Sequence, residues 1–186
     1  MYDFHHNYIK KKYPDSQLLF TDTDSLFYHI KSEKDIYEEF WVDRELFDNS
    51  DYPESSKFFF KENKKVIGKF KDEAAGKPIK EFVGLKSKMY SYTMEDPGVE
   101  PQEHKKAKGV KKNVVKNEIR HRHYIDVINN GITMHHQMNS IRSESHQIKS
   151  YHLNKISLRP YDDKRYLLDD GITSLSYGHW RVPLQT

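Results

Sequence analysis

The sequence has no cysteine, which excludes disulfides and thiolate metal sites and permits a reducing compartment. It also lacks any apolar run approaching the ~20 residues that a membrane span needs. The opening stretch, MYDFHHNYIKKKYP, has no apolar signal core, so a soluble, intracellular chain is expected. Apolar material is scarce throughout, at 35% against 32% charged residues and a mean hydropathy of −0.94. A large self-sufficient core is not expected from 186 residues of this kind.

What the chain does have is aromatic side chains, thirteen Tyr and ten Phe, suited to surfaces that are half buried or that meet a ligand. The net charge of +3 is too small to name a partner, but it is unevenly spread. Residues 32–56 carry nine Asp or Glu against Lys34 and Arg44, whereas residues 105–122 carry eight Lys or Arg against Glu118 alone. The second run points to a polyanion, with a solvated basic helix as the plainer explanation.

Residues 1–13 place Met1, Phe4, Tyr8 and Ile9 near one side of a predicted helix. No Ser, Thr, Asp or Asn caps it, which suggests that the chain begins inside a larger architecture. Leu18–Phe20 and Leu26–Ile30 read as buried strands joined by a tight turn. An acidic helix and loop are predicted over 33–56, then a short strand in KKVIGKF and a turn in DEAAGKP. In EFVGLKSKMYSY, read as one strand, a period of two puts Val83, Leu85 and Met89 on one face and Lys86, Lys88, Tyr90 and Tyr92 on the other. A loop follows at 93–104, then a helical stretch beyond Gly109 that stops at Asn130-Gly131. A second helix is predicted over 132–145, before strand-like HLNKISLR and YDDKRYLLDDG.

The stretch LLFTDTDSLFYHI at 18–30 raises the main chemical question, because it seats Asp22 and Asp24 one residue apart between two apolar runs. Carboxylates at i and i+2 of an extended chain lie about 7 Å apart, and a turn brings them closer. Like charges held so near are relieved by a divalent cation, and oxygen-only ligands favour magnesium or manganese over zinc. An ordinary surface turn is the competing explanation, since Asp, Thr and Ser are common there. An EF-hand loop fails at Leu26 and Phe27, which stand where an oxygen ligand and the glycine belong. An aspartyl phosphatase of the haloacid-dehalogenase type, with Asp162-Asp163 or Asp169-Asp170 as the distal acidic pair, would need a succession of strands and helices for a parallel sheet.

In order, LLFTDTDSL, VIGKFKDE, LKSKMYSY and KKAKGVKK resemble the C-terminal part of a family B DNA polymerase. Asp-Thr-Asp-Ser looks like the third polymerase motif, at the palm hairpin. Lys88-Met89-Tyr90 looks like the Lys-x-Tyr motif that holds the primer strand, and Lys106-Ala107-Lys108-Gly109 is similar to the basic turn leading into the thumb. YDDKRYLLDDG followed by TSLSYGH resembles the C-terminal signature of the protein-primed branch, the polymerases of viruses and virus-like mobile elements.

The resemblance implies an α+β fold: an antiparallel palm β-sheet with packed helices over 1–104, a helical and β thumb over 105–179, and a tail at 180–186. It implies DNA replication by nucleotidyl transfer, the in-line attack of a primer 3′-hydroxyl on an α-phosphate with two divalent ions about 3.5–4 Å apart. Asp24 would be the direct ligand of Mg2+ or Mn2+ and Asp22 its support. Lys86, Lys88, Tyr90, Lys106, Lys108, Lys111 and Lys112 would grip primer–template DNA, through phosphate contacts that position without reading sequence. The complete enzyme would take dNTP and could recruit a terminal protein primer. Its place would be the host nucleus or cytoplasm or a viral replication site.

Two departures bear on activity. The family's first polymerase motif, with a further metal-binding Asp, has no counterpart here, nor has the basic helix that binds the triphosphate. The isolated chain is therefore expected to be inactive, a palm-and-thumb fragment, and a non-catalytic nucleic-acid-binding remnant is the alternative. The eleven histidines, including His5-His6, His121-x-His123 and His135-His136, diverge on helices and lack cysteine company, so surface placement or phosphate contact is expected rather than zinc. Asp162 to Arg165 read as a solvated turn, and Trp180 onward as a foreign extension.

Overall fold

The computed structural model describes residues 1–94, 101–162, 165–176 and 178–182. The chain forms two compact units, one of Met1–Phe82 with Tyr92–His104 and the other of Val83–Ser91 with Lys105–Thr186. It is a mixed α+β protein of small sheets and short helices. No helix among the described residues is long and apolar enough to cross a membrane.

The first unit opens with a π-helix, Phe4–Ile9, that tightens into one α turn, α1 (Lys10–Lys12). Ile9 is buried beneath it, and Phe4 stacks on Phe70 with ring centres 3.9 Å apart. β1 (Gln17–Asp22) and β2 (Ser25–His29) pair antiparallel from Gln17↔His29 to Asp22↔Ser25, with Leu19 bulged out of register. These are not the buried strands expected, for Leu18 and Leu19 are over a third exposed. What anchors the hairpin is aromatic: Phe20 on Phe27 at 5.2 Å, both against Phe82, and Phe27 against Tyr92.

The predicted acidic helix is α2 (Ile36–Val42), capped by Asp35, whose carboxylate accepts the Tyr37 N–H, and a single 3-10 turn follows at Arg44–Leu46. The loop predicted after the helix follows, and within it Asp48 accepts the Ser50 N–H, a local bond that competes with helix. β3 (Phe47–Asp48) and β4 (Phe70–Lys71) make a two-residue parallel pair. The strand predicted in KKVIGKF survives only at Phe70; Ile67 is fully exposed in a turn. Side chains stitch this region where ladders do not. Asp48 is buried and accepts the N–H groups of Ser50 and Lys65, and Asn63 donates to the carbonyls of Phe47 and Arg44. Asp72 accepts from Tyr52, Ala74 and Gly76. Gly76 has φ +78°, and a Cβ there would lie 2.7 Å from the Tyr52 ring.

EFVGLKSKMYSY is not one strand but two: β5 (Ile79–Lys86) and β6 (Met89–Met94) around a turn at Ser87-Lys88, where Lys88 takes φ +57°. The period of two therefore does not run through the turn, and the single face of Lys86, Lys88, Tyr90 and Tyr92 is lost. β6 lies between β5 and β7 (Gln102–Ala107). Part of the loop predicted at 93–104 is thus strand, while Pro97 and Gly98 lie outside the described residues.

The second unit has the aliphatic core. Leu85, Met89, Ala107, Val114, Ile119, Tyr124, Val127, Met138 and Leu158 form one buried cluster. α3 (Lys112–Asn117) and α4 (His121–Asn130) fall where helix was expected, and α4 stops at Gly131, in the left-handed region at φ +63°. The helix predicted over 132–145 is instead β8 (Met134–Glu144), paired antiparallel along its length with β9 (Gln147–Leu158). The run MHHQMNSIRSE mixes helix formers such as Met, Gln and Arg with His, Asn, Ser and Ile, so propensity does not decide it; Met134, His136 and Met138 are its more buried positions, at a period of two. β10 (Arg165–Leu167) and β11 (Ser174–Ser176) make a short final hairpin. Asp163, Lys164, Tyr177 and 183–186, parts of the expected C-terminal signature and tail, lie outside the described residues.

Candidate functional site

In the first unit the acidic residues sit at the tip of the β1–β2 hairpin as expected. Asp22 is the last residue of β1, Thr23 and Asp24 form the two-residue turn, and Ser25 opens β2. Asp22 is half-buried and Asp24 exposed. The Thr23 hydroxyl donates to Asp22 at 3.2 Å. Thr23 itself takes φ +59°, a conformation costing a β-branched residue on the order of 1–3 kcal/mol. Glycine at the first turn position would close the same hairpin without that cost. The strain marks the tip as a place where local stability is not optimal.

Below the tip, Tyr28 is fixed by His5, whose Nδ1 lies 2.8 Å from the phenol oxygen with the two rings stacked. Burial holds the Tyr28 hydroxyl above its usual pKa, and burial followed by the charges of His6 and Lys10 holds His5 below its own. The hairpin is thus braced on both flanks by aromatic contacts while its turn is left to solvent.

The donor chemistry fits a hard divalent cation: two carboxylates and a hydroxyl, all oxygen, with room for water as further ligands. The number of donors is short. Among the described residues no group of three or more His, Asp or Glu side chains could share a metal ion. Asp22 and Asp24 are the residues that would hold one.

In the second unit the structure brings two of the expected basic segments together. The turn at Ser87-Lys88 and the turn at Lys108-Gly109 are joined by a backbone hydrogen bond from Lys108 N–H to the Lys88 carbonyl, 2.9 Å. Three further bonds pin the second turn: Val110 N–H to the Ala107 carbonyl, the Tyr124 hydroxyl to the Lys106 carbonyl at 3.0 Å, and Lys155 Nζ to the Gly109 carbonyl at 2.8 Å. Lys86 reaches the Tyr161 carbonyl at 3.4 Å. The side chains of Lys88, Lys106, Lys108, Lys111 and Lys112 are exposed, and Tyr90 is half-buried. Lys111 and Lys112 stand at the start of α3, the end where a cation costs a helix a few tenths of a kcal/mol. This concentration of positive charge works against local stability.

Other basic residues of the 105–122 run serve the fold. Lys105 donates to the Ile119 carbonyl and Arg120 to that of Lys116, so both close the end of α3. His121 is buried and 2.9 Å from the Ser91 hydroxyl, which corrects its expected surface placement. His136 pairs with buried Ser157 at 2.6 Å. Lys155 was not anticipated as a partner of the basic turn. Its only signal was its place in a strand-like segment rich in polar residues.

Comparison with protein-family models, with curated proteins and with solved structures found no match.

Proposed function

We propose that the chain is the palm-and-thumb portion of a protein-primed family B DNA polymerase, with primer–template DNA as its partner and Mg2+ or Mn2+ as its ion. The observation that carries the reading is the acidic hairpin: Asp22 and Asp24 flank Thr23 at a strained two-residue turn between paired strands. A bound ion would supply positive charge to the attacking and leaving oxygens of nucleotidyl transfer. Asp24, exposed at the turn, would be the direct ligand, and Asp22, oriented by the Thr23 hydroxyl, its support. The coupled turns of the second unit lend support to the DNA-binding part. Lys88 and Lys108 are brought side by side by backbone bonding rather than by chance rotamers. Lys86, Lys106, Lys111 and Lys112 extend that charge. Tyr90, half-buried next to Met89, offers a hydroxyl and an apolar edge to a sugar–phosphate chain.

Two carboxylates are too few to hold two ions, so these residues alone are not expected to extend a primer. The test is therefore made on binding. Titration with Mn2+ should broaden the amide resonances of residues 22–25 first, and Asp24→Asn should abolish that broadening. Duplex binding should weaken steeply between 50 and 200 mM salt and fall in a Lys88→Ala/Lys108→Ala variant. If Mn2+ leaves the hairpin untouched, the polymerase reading fails. Salt-sensitive duplex binding surviving that failure would leave a non-catalytic nucleic-acid-binding remnant.

A further inference from the structure

The first unit pairs much of the charge that surrounds its aromatic side chains. Lys12 bonds Asp43, Lys57 bonds Glu38, Lys61 bonds Glu54 and Lys71 bonds Asp51. One cleft departs from this habit. It has a volume of about 510 Å³, and its walls include Trp41, Arg44, Glu45, Phe60, Glu62 and Asn63. That volume lies within the range of small-molecule sites. Among the described residues, the side chains of Arg44, Glu45 and Glu62 have no hydrogen-bonding or ion-pairing partner, not even one another. The cleft therefore holds a free cation and two free carboxylates.

Where it is not charged, the cleft is aromatic. Trp41 and Phe60 meet at 67° with ring centres 5.7 Å apart, and both are half-buried. Cations cover the rings around them: Lys57 lies over Phe58, Lys61 over Phe59, and Arg44 over Trp41 at 5.3 Å from the ring centre. Phe60 has no such cover among the described residues, so it is the open ring of the cleft. Arg44, resting on Trp41, keeps the N–H donors of its planar fork unused. The backbone beneath is held from within. Asn63 Nδ2 donates to the carbonyls of Arg44, Glu45 and Phe47, and Lys69 Nζ donates to that of Glu45. Arg44 and Glu45 thus project from a fixed turn.

We infer that this cleft binds a guanine base, stacked on Phe60 and held edgewise by Arg44 and by Glu45 or Glu62. A ligand that satisfies these groups must be planar, and it must offer acceptors to the fork and donors to a carboxylate. Guanine has both, on separate edges. Its O6 and N7 are the acceptor pair that an Arg fork matches, and its N1–H and N2–H groups are a donor pair that matches the two oxygens of a carboxylate. Adenine places a lone pair at N1, where it would face the carboxylate, and the pyrimidines have no N7. A quaternary ammonium, which aromatic walls and carboxylates also suit, would meet the charge of Arg44. Unpaired bases stack readily on aromatic rings and guanidinium planes. A free guanine nucleotide and an unstacked guanine in a single strand share this chemistry. The cleft belongs wholly to residues 41–63 of the first unit, so the inference stands or falls apart from the polymerase reading.

The test is calorimetric titration of the full chain with GMP, IMP, 7-deaza-GMP and AMP. IMP lacks the N2 amino group and 7-deaza-GMP the N7 acceptor, while the sugar and phosphate are common to all four. Each of these two should bind about tenfold more weakly than GMP, and AMP more weakly still. Glu45→Gln/Glu62→Gln should erase the preference for GMP over IMP, and Arg44→Gln the preference for GMP over 7-deaza-GMP; all three positions are exposed, so the fold is kept. Phe60→Ala should abolish binding. A thymine oligonucleotide with one central guanine, set against the same strand with adenine, separates the two sources. Tighter binding of the guanine strand than of GMP assigns the cleft to single-stranded nucleic acid, and the reverse assigns it to the free nucleotide. Equal affinity for guanine and adenine in both formats, or no binding of either guanine probe, overturns the inference.

Discussion

The acidic hairpin at 17–29 and the ribbon at 134–158 are both antiparallel pairs closed by two-residue turns, but they are anchored and charged in opposite ways. The first lies on rings, with Phe20 and Phe27 stacked on Phe82 and Tyr92, and none of its side chains is fully buried. The second is driven into an aliphatic core by Met138 and Leu158, the latter completely buried. The first carries carboxylates at its tip and the second carries cations towards its tip. Flat aromatic contacts tolerate sliding better than interlocked aliphatic packing. A hairpin proposed to seat an ion can be adjustable, whereas a ribbon that projects from its unit needs a fixed root.

The largest expected effect tests those roots. Leu158→Ala should destabilise the second unit by about 2–5 kcal/mol, the range for emptying a fully buried aliphatic site. Phe27→Ala, at a half-buried position, should cost roughly half of the fully buried phenylalanine value, about 2 kcal/mol. Hydrogen exchange would read this directly. Ribbon amides should lose protection in Leu158→Ala and hairpin amides in Phe27→Ala. An equal loss in both segments from either change would show that the two hairpins do not unfold independently.

A smaller effect separates carboxylates that hold the fold from those that face solvent. Asp48 is buried; burial alone would raise its pKa, but the N–H groups of Lys65 and Ser50, with the charge of Lys71, bring it below the usual value. Asp43 behaves likewise: burial raises it, and Lys12 and Tyr8 outweigh that. A carboxyl whose pKa is depressed by folding stabilises the folded state fully above its unfolded pKa, about 3.9, and loses that contribution as pH falls through the folded value. Denaturant unfolding should therefore show the first unit weakening below about pH 4. Asp48→Asn should flatten that dependence and lower stability at pH 7. If the acid sensitivity of Asp48→Asn matched the unaltered chain, the assignment of the effect to Asp48 would fail.

Legibility in the sequence followed the same division. The acidic hairpin was readable because its signal is local, two aromatic runs around Thr-Asp-Thr-Asp-Ser. So was the stop of α4 at Asn130-Gly131, since Gly131 takes positive φ there. Three things were not. The turn at Ser87-Lys88 has no Gly, Asn, Asp or Pro to announce it, so the run on either side passed for one strand. The ribbon passed for a helix because burial in β8 is confined to its first half and no alternating pattern continues to Glu144. The acidic helix and the loop after it were expected, but not how that loop is held, for Asp48, Asn49 and Asn63 commit their side chains to backbone groups. In each case the deciding partner was distant in sequence or was the backbone itself, and neither leaves a periodicity.

The smallest effect separates the two turns. Thr23 pays for its positive φ, whereas His146 belongs to a residue type that visits this region more readily. Thr23→Gly should therefore raise the stability of the first unit by a few tenths to about 1 kcal/mol, the relief of strain less the greater freedom of unfolded glycine. His146→Gly should change the second unit by less. The functional sign should be the reverse of the stability sign. Glycine removes both the Thr23 hydroxyl bonded to Asp22 and the rigidity that keeps Asp22 and Asp24 in one geometry, so the variant should need more Mn2+ to broaden the hairpin amides. A Thr23→Gly variant that gained stability and bound Mn2+ as well as before would mean that the strain serves no purpose in ion binding, and the case for a prearranged acidic tip would then rest on the carboxylates alone.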